Sequence, residues 1–101
     1  MNADAEVTLT GWIAVPPAEA ERLRPLLAEH IRLTRAEPGC LGFEVSANRV
    51  DPGRLDVAER FRDLAALEDH QRRVAGSAWG AATRHLLRHY RIAPASGAPH
   101  E

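Results

Sequence analysis

Residues 41–61 read LGFEVSANRVDPGRLDVAERF and contain two alternating segments on either side of a short turn. Alternation of apolar and polar side chains is typical of a strand with one buried face. The apolar positions of the first segment are Leu41, Phe43, Val45 and Ala47. The corresponding positions of the second segment are Leu55, Val57, Glu59 and Phe61. Because residues 50–53, Val-Asp-Pro-Gly, form a turn sequence, the stretch predicts an antiparallel hairpin.

The residues after the hairpin predict a helix in two pieces and a closing strand. Asp63 is a good N-cap, and the apolar spacing that follows is helical. Gly76 breaks this helix and Ser77 can cap another. The residues at helical spacing in the first piece are Leu64, Leu67, His70 and Val74, and the second piece carries Trp79, Ala82, Thr83, Leu86 and Leu87. Residues 90–93 predict a short last strand.

The residues before the hairpin predict a strand and then a helix. Residues 7–15 alternate, and Pro16 and Pro17 end them at the start of a helical pattern. The inner positions of the strand are Val7, Leu9, Ile13 and Val15, and those of the helix are Ala20, Leu23, Leu27, Ile31 and Thr34. Pro38-Gly39 ends the helix. The element order is therefore strand, helix, strand, strand, helix, strand.

This order predicts an α+β domain of the ferredoxin-like, split βαβ type, with a four-stranded antiparallel sheet and helices on one face. The domain would span residues 7–93, between a short N-terminal tail (1–6) and a disordered C-terminal tail (94–101). Because the helices cover only one face of the sheet, we expect a second copy of the chain to cover the other face. The sequence thus predicts a homodimer.

Length and composition exclude several classes of protein. The chain has 101 residues, which suffices for one domain. Thirteen arginines, no lysine and fourteen acidic residues give a net charge of −1, so no broad basic surface for nucleic acid or an anionic membrane is expected. No apolar run approaches the ~20 residues of a membrane span, and the polar start is unlike a signal peptide. The expected compartment is the cytoplasm.

Two blocks of the sequence resemble antibiotic biosynthesis monooxygenase (ABM) domains. Residues 37–45, EPGCLGFEV, resemble the opening of that family's second strand, and residues 57–63 with 65–70 resemble its third strand and following helix. The resemblance covers residues 7–93. It implies a dimeric α+β barrel with a pocket between sheet and helices. It also implies a small aromatic substrate and molecular oxygen, because the best understood members oxidise polycyclic phenols or quinols without metal or flavin.

Such a reaction requires a base, a donor that stabilises the developing anion, and a dry apolar pocket. His70 is the predicted base, because it lies on the buried helix face and matches a histidine of the family motif. Glu59 shares the inner strand face with Val57 and Phe61 and is the second predicted catalytic residue; its expected partner is an arginine or His70, whose ring it would orient. A core histidine and a structural ion pair are the alternatives for these two residues.

The predicted substrate-binding residues are Trp79, Phe43, Phe61, Asn48 and Arg60. Trp79 has small neighbours and can stack on a planar ring. Phe43 and Phe61 would limit the pocket volume, and Asn48 and Arg60 are the candidate donors to the anion. Core packing is the alternative for Trp79, and a surface position is the alternative for the two polar residues.

Metal and haem sites are not expected. His85 and His89 have the i, i+4 spacing of a helical zinc pair, but the glutamate of HExxH and a third ligand are missing. The haem-degrading relatives carry asparagine, tryptophan and histidine where this chain has Thr10 or Gly11, His70 and Gly80. The single cysteine, Cys40, is expected to be a small buried residue.

Two other functions are alternatives to the oxygenase: an isomerase that uses His70 with Glu59, and a non-catalytic binding dimer.

Overall fold

The structure, a computed structural model, describes residues 5–94. Its four strands are β1 (Val7–Ala14), β2 (Cys40–Ala47), β3 (Arg54–Phe61) and β4 (Arg88–Pro94). They form one antiparallel sheet in the order β2-β3-β1-β4. This topology confirms the predicted ferredoxin-like α+β fold. β4 extends one residue beyond the predicted domain end, and the rest of the predicted C-terminal tail lies outside the described residues.

Three helices pack on one face of the sheet: α1 (Pro17–Arg35), α2 (Leu64–Ala75) and α3 (Ala78–Thr83). The predicted caps are present. The Asp63 side chain accepts a hydrogen bond from the Ala66 amide at 2.8 Å, and the Ser77 hydroxyl oxygen accepts one from the Gly80 amide at 3.0 Å. Each cap satisfies an amide that a helix start leaves without an intrahelical partner, which fixes where α2 and α3 begin.

The core consists of two apolar clusters. One is formed by Leu9, Phe43, Val57, Phe61, Ala66 and Leu67, and the other by Ile13, Val15, Leu23, Trp79 and Leu86. Buried polar side chains lie against both clusters. The His30 ring contacts Phe43 of the first and Trp79 of the second, while the His70 ring contacts Phe61. Buried ionisable side chains within an apolar core are typical of a functional site.

Two predicted details of the elements are wrong. A β-bulge between Cys40 and Gly42 inserts Leu41 as an extra residue, so Leu41 is 43% exposed instead of facing inward with Phe43. The last helix ends at Thr83, which leaves Leu87 69% exposed and outside the helix.

Gly11 allows β4 to approach β1 closely. Its φ is +156°, and a Cβ atom at this position would lie 1.9 Å from the carbonyl oxygen of His89. Glycine alone has no Cβ, so only glycine fits here without displacing β4. Gly11 therefore helps to position Arg88 and Tyr90, the residues of β4 on either side of His89.

Within the described part of the chain, no helix is long and apolar enough to cross a membrane.

Candidate active site

A cavity of about 280 Å³ lies between the sheet and the helices. Its polar and aromatic lining includes His30, Glu59, His70, Trp79, Arg88 and Tyr90. These residues come from α1, β3, α2, α3 and β4, so the whole fold contributes to one pocket. Three of the residues predicted from the sequence, His70, Glu59 and Trp79, are brought together here.

His70 is held by a carboxylate that sequence reasoning did not single out. Its side chain is 5% exposed, and its Nδ1 atom lies 3.0 Å from Oε2 and 3.2 Å from Oε1 of Glu37. The Nε atom of Arg73 donates to the same Oε2 at 2.6 Å. Because an ionised carboxylate can only accept, His70 Nδ1 carries a proton, so the base form of the ring has its lone pair on Nε2. His70 is thus oriented as a base.

Glu59 faces the same region from β3, as the strand alternation predicts. Its Oε1 atom lies 3.7 Å from Nε2 of His70, and this oxygen is buried with no hydrogen-bond partner among residues 5–94. Burial, together with the nearby Glu37 carboxylate, raises the pKa of Glu59 from 4.5 to about 8. Glu59 therefore holds its proton at neutral pH and lies beside the His70 lone pair as a neutral acid.

His30 is the second histidine of the site, and the sequence interpretation missed it. It is 8% exposed, and its ring lies 5.4 Å from the Trp79 ring and 6.1 Å from the His70 ring, centroid to centroid. Burial, the neighbouring His70 and the positive charges on Arg73 and Arg88 lower its pKa from 6.5 to about 4. The signal was present, because position 30 continues the helical spacing from Leu27 to Thr34.

The aromatic residues proposed for the substrate pocket have different positions. Trp79 is 7% exposed and forms part of the cavity wall. Phe43 lines a small internal cavity of about 20 Å³ next to it, together with His30 and Glu59. Phe61 is fully buried and packs against the His70 ring at 5.0 Å. The two phenylalanines thus pack against the rings of His30 and His70. Of the three aromatic residues, only Trp79 lines the 280 Å³ cavity.

Asn48 and Arg60, the predicted anion donors, are not brought to the cavity. Asn48 organises the turn between β2 and β3: its amide nitrogen donates to Asp56 at 3.0 Å, and its oxygen accepts from two turn amides. Arg60 points to the opposite side of the sheet from Glu59 and lies 3.5 Å from Glu6. The turn and the strand alternation account for these positions.

Arg88 is a cavity residue that the sequence interpretation did not propose. Its guanidinium donates to the carbonyl oxygen of Thr83 at 3.1 Å and to the Thr83 hydroxyl at 3.0 Å. These two contacts fix a positive charge at the cavity wall next to Tyr90. A polar or anionic group on a ligand would be attracted to this part of the wall.

The two histidines considered as a zinc pair both lie beyond the end of α3 at Thr83. His85 donates from Nε2 to Glu19 at 2.9 Å, whereas His89 belongs to β4 and stacks on Trp12 with 5.9 Å between ring centroids. The helical i, i+4 geometry that suggested the pair is therefore absent. Among residues 5–94, no three His, Cys, Asp or Glu side chains converge closely enough to hold a metal ion. Cys40 is half-buried in the first core cluster.

Comparison with solved structures finds the same fold in several bacterial proteins. Rv0793 from Mycobacterium tuberculosis is 28% identical, with 96% of this chain and 97% of that chain aligned at a TM-score of 0.70. PA3566 from Pseudomonas aeruginosa is also 28% identical, covering 92% and 94% of the two chains at a TM-score of 0.67. A Deinococcus radiodurans protein named "putative antibiotic biosynthesis monooxygenase" is 24% identical over 94% and 97%, at a TM-score of 0.74.

No curated protein matches the sequence. The family model for antibiotic biosynthesis monooxygenase matches residues 7–82, which include β1 to α3 and most of the cavity residues described above. Since this match spans about three quarters of the sequence, it confirms the resemblance seen in the hairpin and the helix after it. The chain belongs to the antibiotic biosynthesis monooxygenase family.

Proposed function

We propose that the cavity is the active site of a cofactor-independent monooxygenase that oxidises a quinol or a polycyclic phenol with molecular oxygen. The observation that carries the proposal is the Glu37–His70 pair, in which a buried carboxylate leaves the histidine lone pair on Nε2. A base with a fixed tautomer is the one group such a reaction cannot omit, because the substrate must become an anion before it reduces oxygen.

The reaction is balanced with the substrate as the only electron donor. For an anthrone, His70 Nε2 takes a proton from the acidic CH₂ group or from the tautomeric phenol. The resulting anion transfers an electron to oxygen, and the two radicals combine. Loss of water then leaves a carbonyl, so that R₂CH₂ and O₂ give R₂C=O and H₂O. The four electrons come from one carbon atom of the substrate.

The shape of the cavity supports an aromatic substrate of modest size. About 280 Å³ is close to the lower end of the volumes of small-molecule pockets, roughly 300–1,000 Å³. The Trp79 ring forms part of the cavity wall and is stacked with the nearly parallel ring of His30, with 12° between the planes. Planar rings stack favourably on such a surface. Leu9 and Val74 add apolar lining.

Oxygen consumption by metal-stripped protein tests the proposal, with anthrones, naphthoquinols and simple quinols as substrates. We expect uptake above the rate without protein, and a fall of at least about 10²-fold in His70→Ala, since general base catalysis contributes that much or more. His85→Ala is the matched control, because His85 is an exposed histidine that binds Glu19. Unchanged uptake in His70→Ala would remove His70 from the mechanism.

One observation favours a second function, a proton-transferring isomerase. Glu59, whose pKa is raised to about 8, lies 3.7 Å from His70 Nε2, so a buried acid that holds its proton at neutral pH is adjacent to the histidine. Such an enzyme would incorporate solvent deuterium into a carbonyl substrate without consuming oxygen. Exchange without uptake supports the isomerase. Quenching of Trp79 fluorescence by aromatic ligands, with neither activity, supports a binding protein.

A further inference from the structure

The proposed reaction needs a donor to the substrate anion, and the residues predicted for that role do not provide it. Asn48 is bound within a turn, and Arg60 lies on the other face of the sheet. One residue of the cavity lining nevertheless has a buried nitrogen without a partner. The Nδ1 atom of His30 is shut off from solvent and has no hydrogen-bond partner among the residues that the structure describes.

The position of His30 is fixed by packing and not by hydrogen bonds. Its ring stacks on Trp79, and the edge of the Phe43 ring meets it at 5.3 Å and 86°. The side chain is more than nine-tenths buried and lines the same cavity as His70. Buried polar groups are nearly always hydrogen-bonded, so an imidazole held between two aromatic rings without a partner points to a ligand that supplies one.

The surroundings of His30 keep the ring neutral. Burial disfavours its protonation most, and the neighbouring His70 and the charges of Arg73 of α2 and Arg88 of β4 disfavour it further. Glu59, the acid of β3 in the same cavity, holds its own proton at neutral pH. A neutral imidazole has one N–H donor and one lone pair. Above its pKa of about 4, His30 therefore presents one N–H donor.

We propose that His30 is a catalytic residue whose N–H donates a hydrogen bond to the oxygen anion of a bound phenol or quinol after His70 has taken its proton. The inference rests on the proposed function, because it names the residue that stabilises the substrate anion formed in that reaction. The proton moves from the substrate to His70 Nε2, and the negative charge remains on the substrate oxygen opposite the His30 N–H. A donor already in place stabilises such a charge without reorganisation.

The test uses 4-nitrophenol, a planar phenol whose anion absorbs visible light and whose nitro group makes that anion a poor electron donor to oxygen. We expect the wild-type protein to lower the pKa of the bound probe below that of the free probe. In His30→Phe the apparent pKa of the bound probe should rise by about one to two pH units, the worth of a hydrogen bond to a charged group. His30→Gln, which keeps an N–H donor, should restore most of the shift.

His85→Phe is the matched control, because it replaces an exposed histidine outside the cavity and should leave the titration unchanged. A His30→Phe protein that binds the probe with the wild-type pKa overturns the proposal. If His30→Phe does not fold, ¹⁵N-imidazole spectra of the wild-type protein decide. The His30 resonances, assigned by their loss in His30→Gln, must show a neutral ring and must move when the probe anion binds. Resonances that stay unchanged on saturation overturn the proposal.

The two proposals can fail separately. Because 4-nitrophenol reports on an anion without turnover, a shifted titration with no oxygen uptake on any substrate keeps His30 as an anion donor and rejects the oxygenase. Oxygen uptake with an unchanged probe titration in His30→Phe keeps the oxygenase and rejects the donor. A wild-type protein that does not bind the probe at millimolar concentration also rejects the donor.

Discussion

The Nδ1 atom of His70 lies 3.0 Å from Oε2 of Glu37, although the two residues are 33 positions apart in the sequence. Glu37 belongs to the turn between α1 and β2, and His70 to the inner face of α2. Arg73, one helical turn after His70, donates to the same oxygen and holds the carboxylate in place. The contact thus ties the first half of the fold to the proposed base and determines which nitrogen keeps the lone pair.

Replacing Glu37 by glutamine should therefore reduce activity while leaving the fold intact. The glutamine amide can donate to Nδ1, which would move the ring proton to Nε2 and remove the base. Loss of a tautomer-fixing carboxylate in the Ser-His-Asp triad lowers kcat by about 10⁴-fold, and we expect at least about 10²-fold here. Oxygen-uptake kinetics measure the effect, and ¹⁵N-imidazole spectra report the His70 tautomer directly.

Glu44→Gln is the control for this variant. Glu44 is an exposed glutamate of β2, 3.4 Å from Arg35, and its replacement should change neither rate nor tautomer. Wild-type kcat in Glu37→Gln, with the proton shown to have moved to Nε2, would mean that His70 is not the base.

The buried acid Glu59 predicts that stability falls as the pH rises. Its pKa is about 8 in the folded protein and 4.5 as its ordinary value, so between these limits the folded state holds a proton that the unfolded state releases. The free energy of unfolding then decreases by up to about 1.4 kcal/mol per pH unit. His30 acts in the opposite direction between pH 4 and 6.5, because its pKa is lowered from 6.5 to about 4.

The two effects oppose each other below pH 6.5, and Glu59 acts without this opposition above it. We expect urea unfolding to show little change in stability from pH 5 to 6.5 and a decline from 6.5 to 8. Glu59→Gln should abolish the decline, whereas Glu21→Gln, at an exposed glutamate beside Arg24, should preserve it. His70 and Glu37 are the ionisable groups of the neighbouring elements that lie near Glu59 or act on it. A decline of wild-type size in Glu59→Gln contradicts the prediction.

The fold could be predicted because strand alternation, caps and turns are local signals. The pairing of β2 with β3 follows from the Asp51-Pro52-Gly53 turn, and the start of α2 follows from Asp63. The same local reasoning places Glu59 and His70 on inner faces. The bulge at Leu41 was not predictable, because an inserted residue leaves the alternation of one strand intact and becomes visible only against its partner.

The remainder of the site depends on contacts that no spacing reveals. Glu37 stands in a turn, where a glutamate is usually solvated, and only the three-dimensional path of α1 brings it to His70. Arg88 reaches the cavity because β4 lies at the sheet edge beside β1. His30 differs from both, since it was missed although its helical spacing from Leu27 to Thr34 was a usable signal for a buried position. An ionisable side chain at such a buried position indicates a candidate functional residue.

The uncovered face of the sheet leads us to propose a homodimer. Thr10, Ala58 and Arg91 are paired across the centre of this face, and all three are exposed. Light scattering should give about 22 kDa, twice the chain mass of 11.1 kDa. Thr10→Arg would place two added positive charges near each other across a twofold axis and should yield monomers, whereas Thr10→Val should remain dimeric. A wild-type mass of one chain at micromolar concentration rejects the dimer.

The contact between β1 and β4 predicts that Gly11→Ala is strongly destabilising. A Cβ atom would lie 1.9 Å from the His89 carbonyl oxygen and would require a residue other than glycine at φ +156°. We expect a loss of at least about 2 kcal/mol in the free energy of unfolding, because β4 must move or β1 must change its backbone conformation. Movement of β4 would also withdraw Arg88 and Tyr90 from the cavity, so affinity for aromatic ligands should fall with stability.

Gly42→Ala distinguishes this close approach from a general effect of replacing a strand glycine. A Cβ atom at Gly42 would meet only the Arg60 side chain, at 3.9 Å, which is an ordinary contact. Its replacement should therefore change stability by no more than about 0.5 kcal/mol. Urea unfolding compares the two variants, and amide hydrogen exchange locates the loss, which for Gly11→Ala should be greatest in β4. Equal stability of the two variants would show that β4 does not approach β1 as closely as the 1.9 Å contact requires.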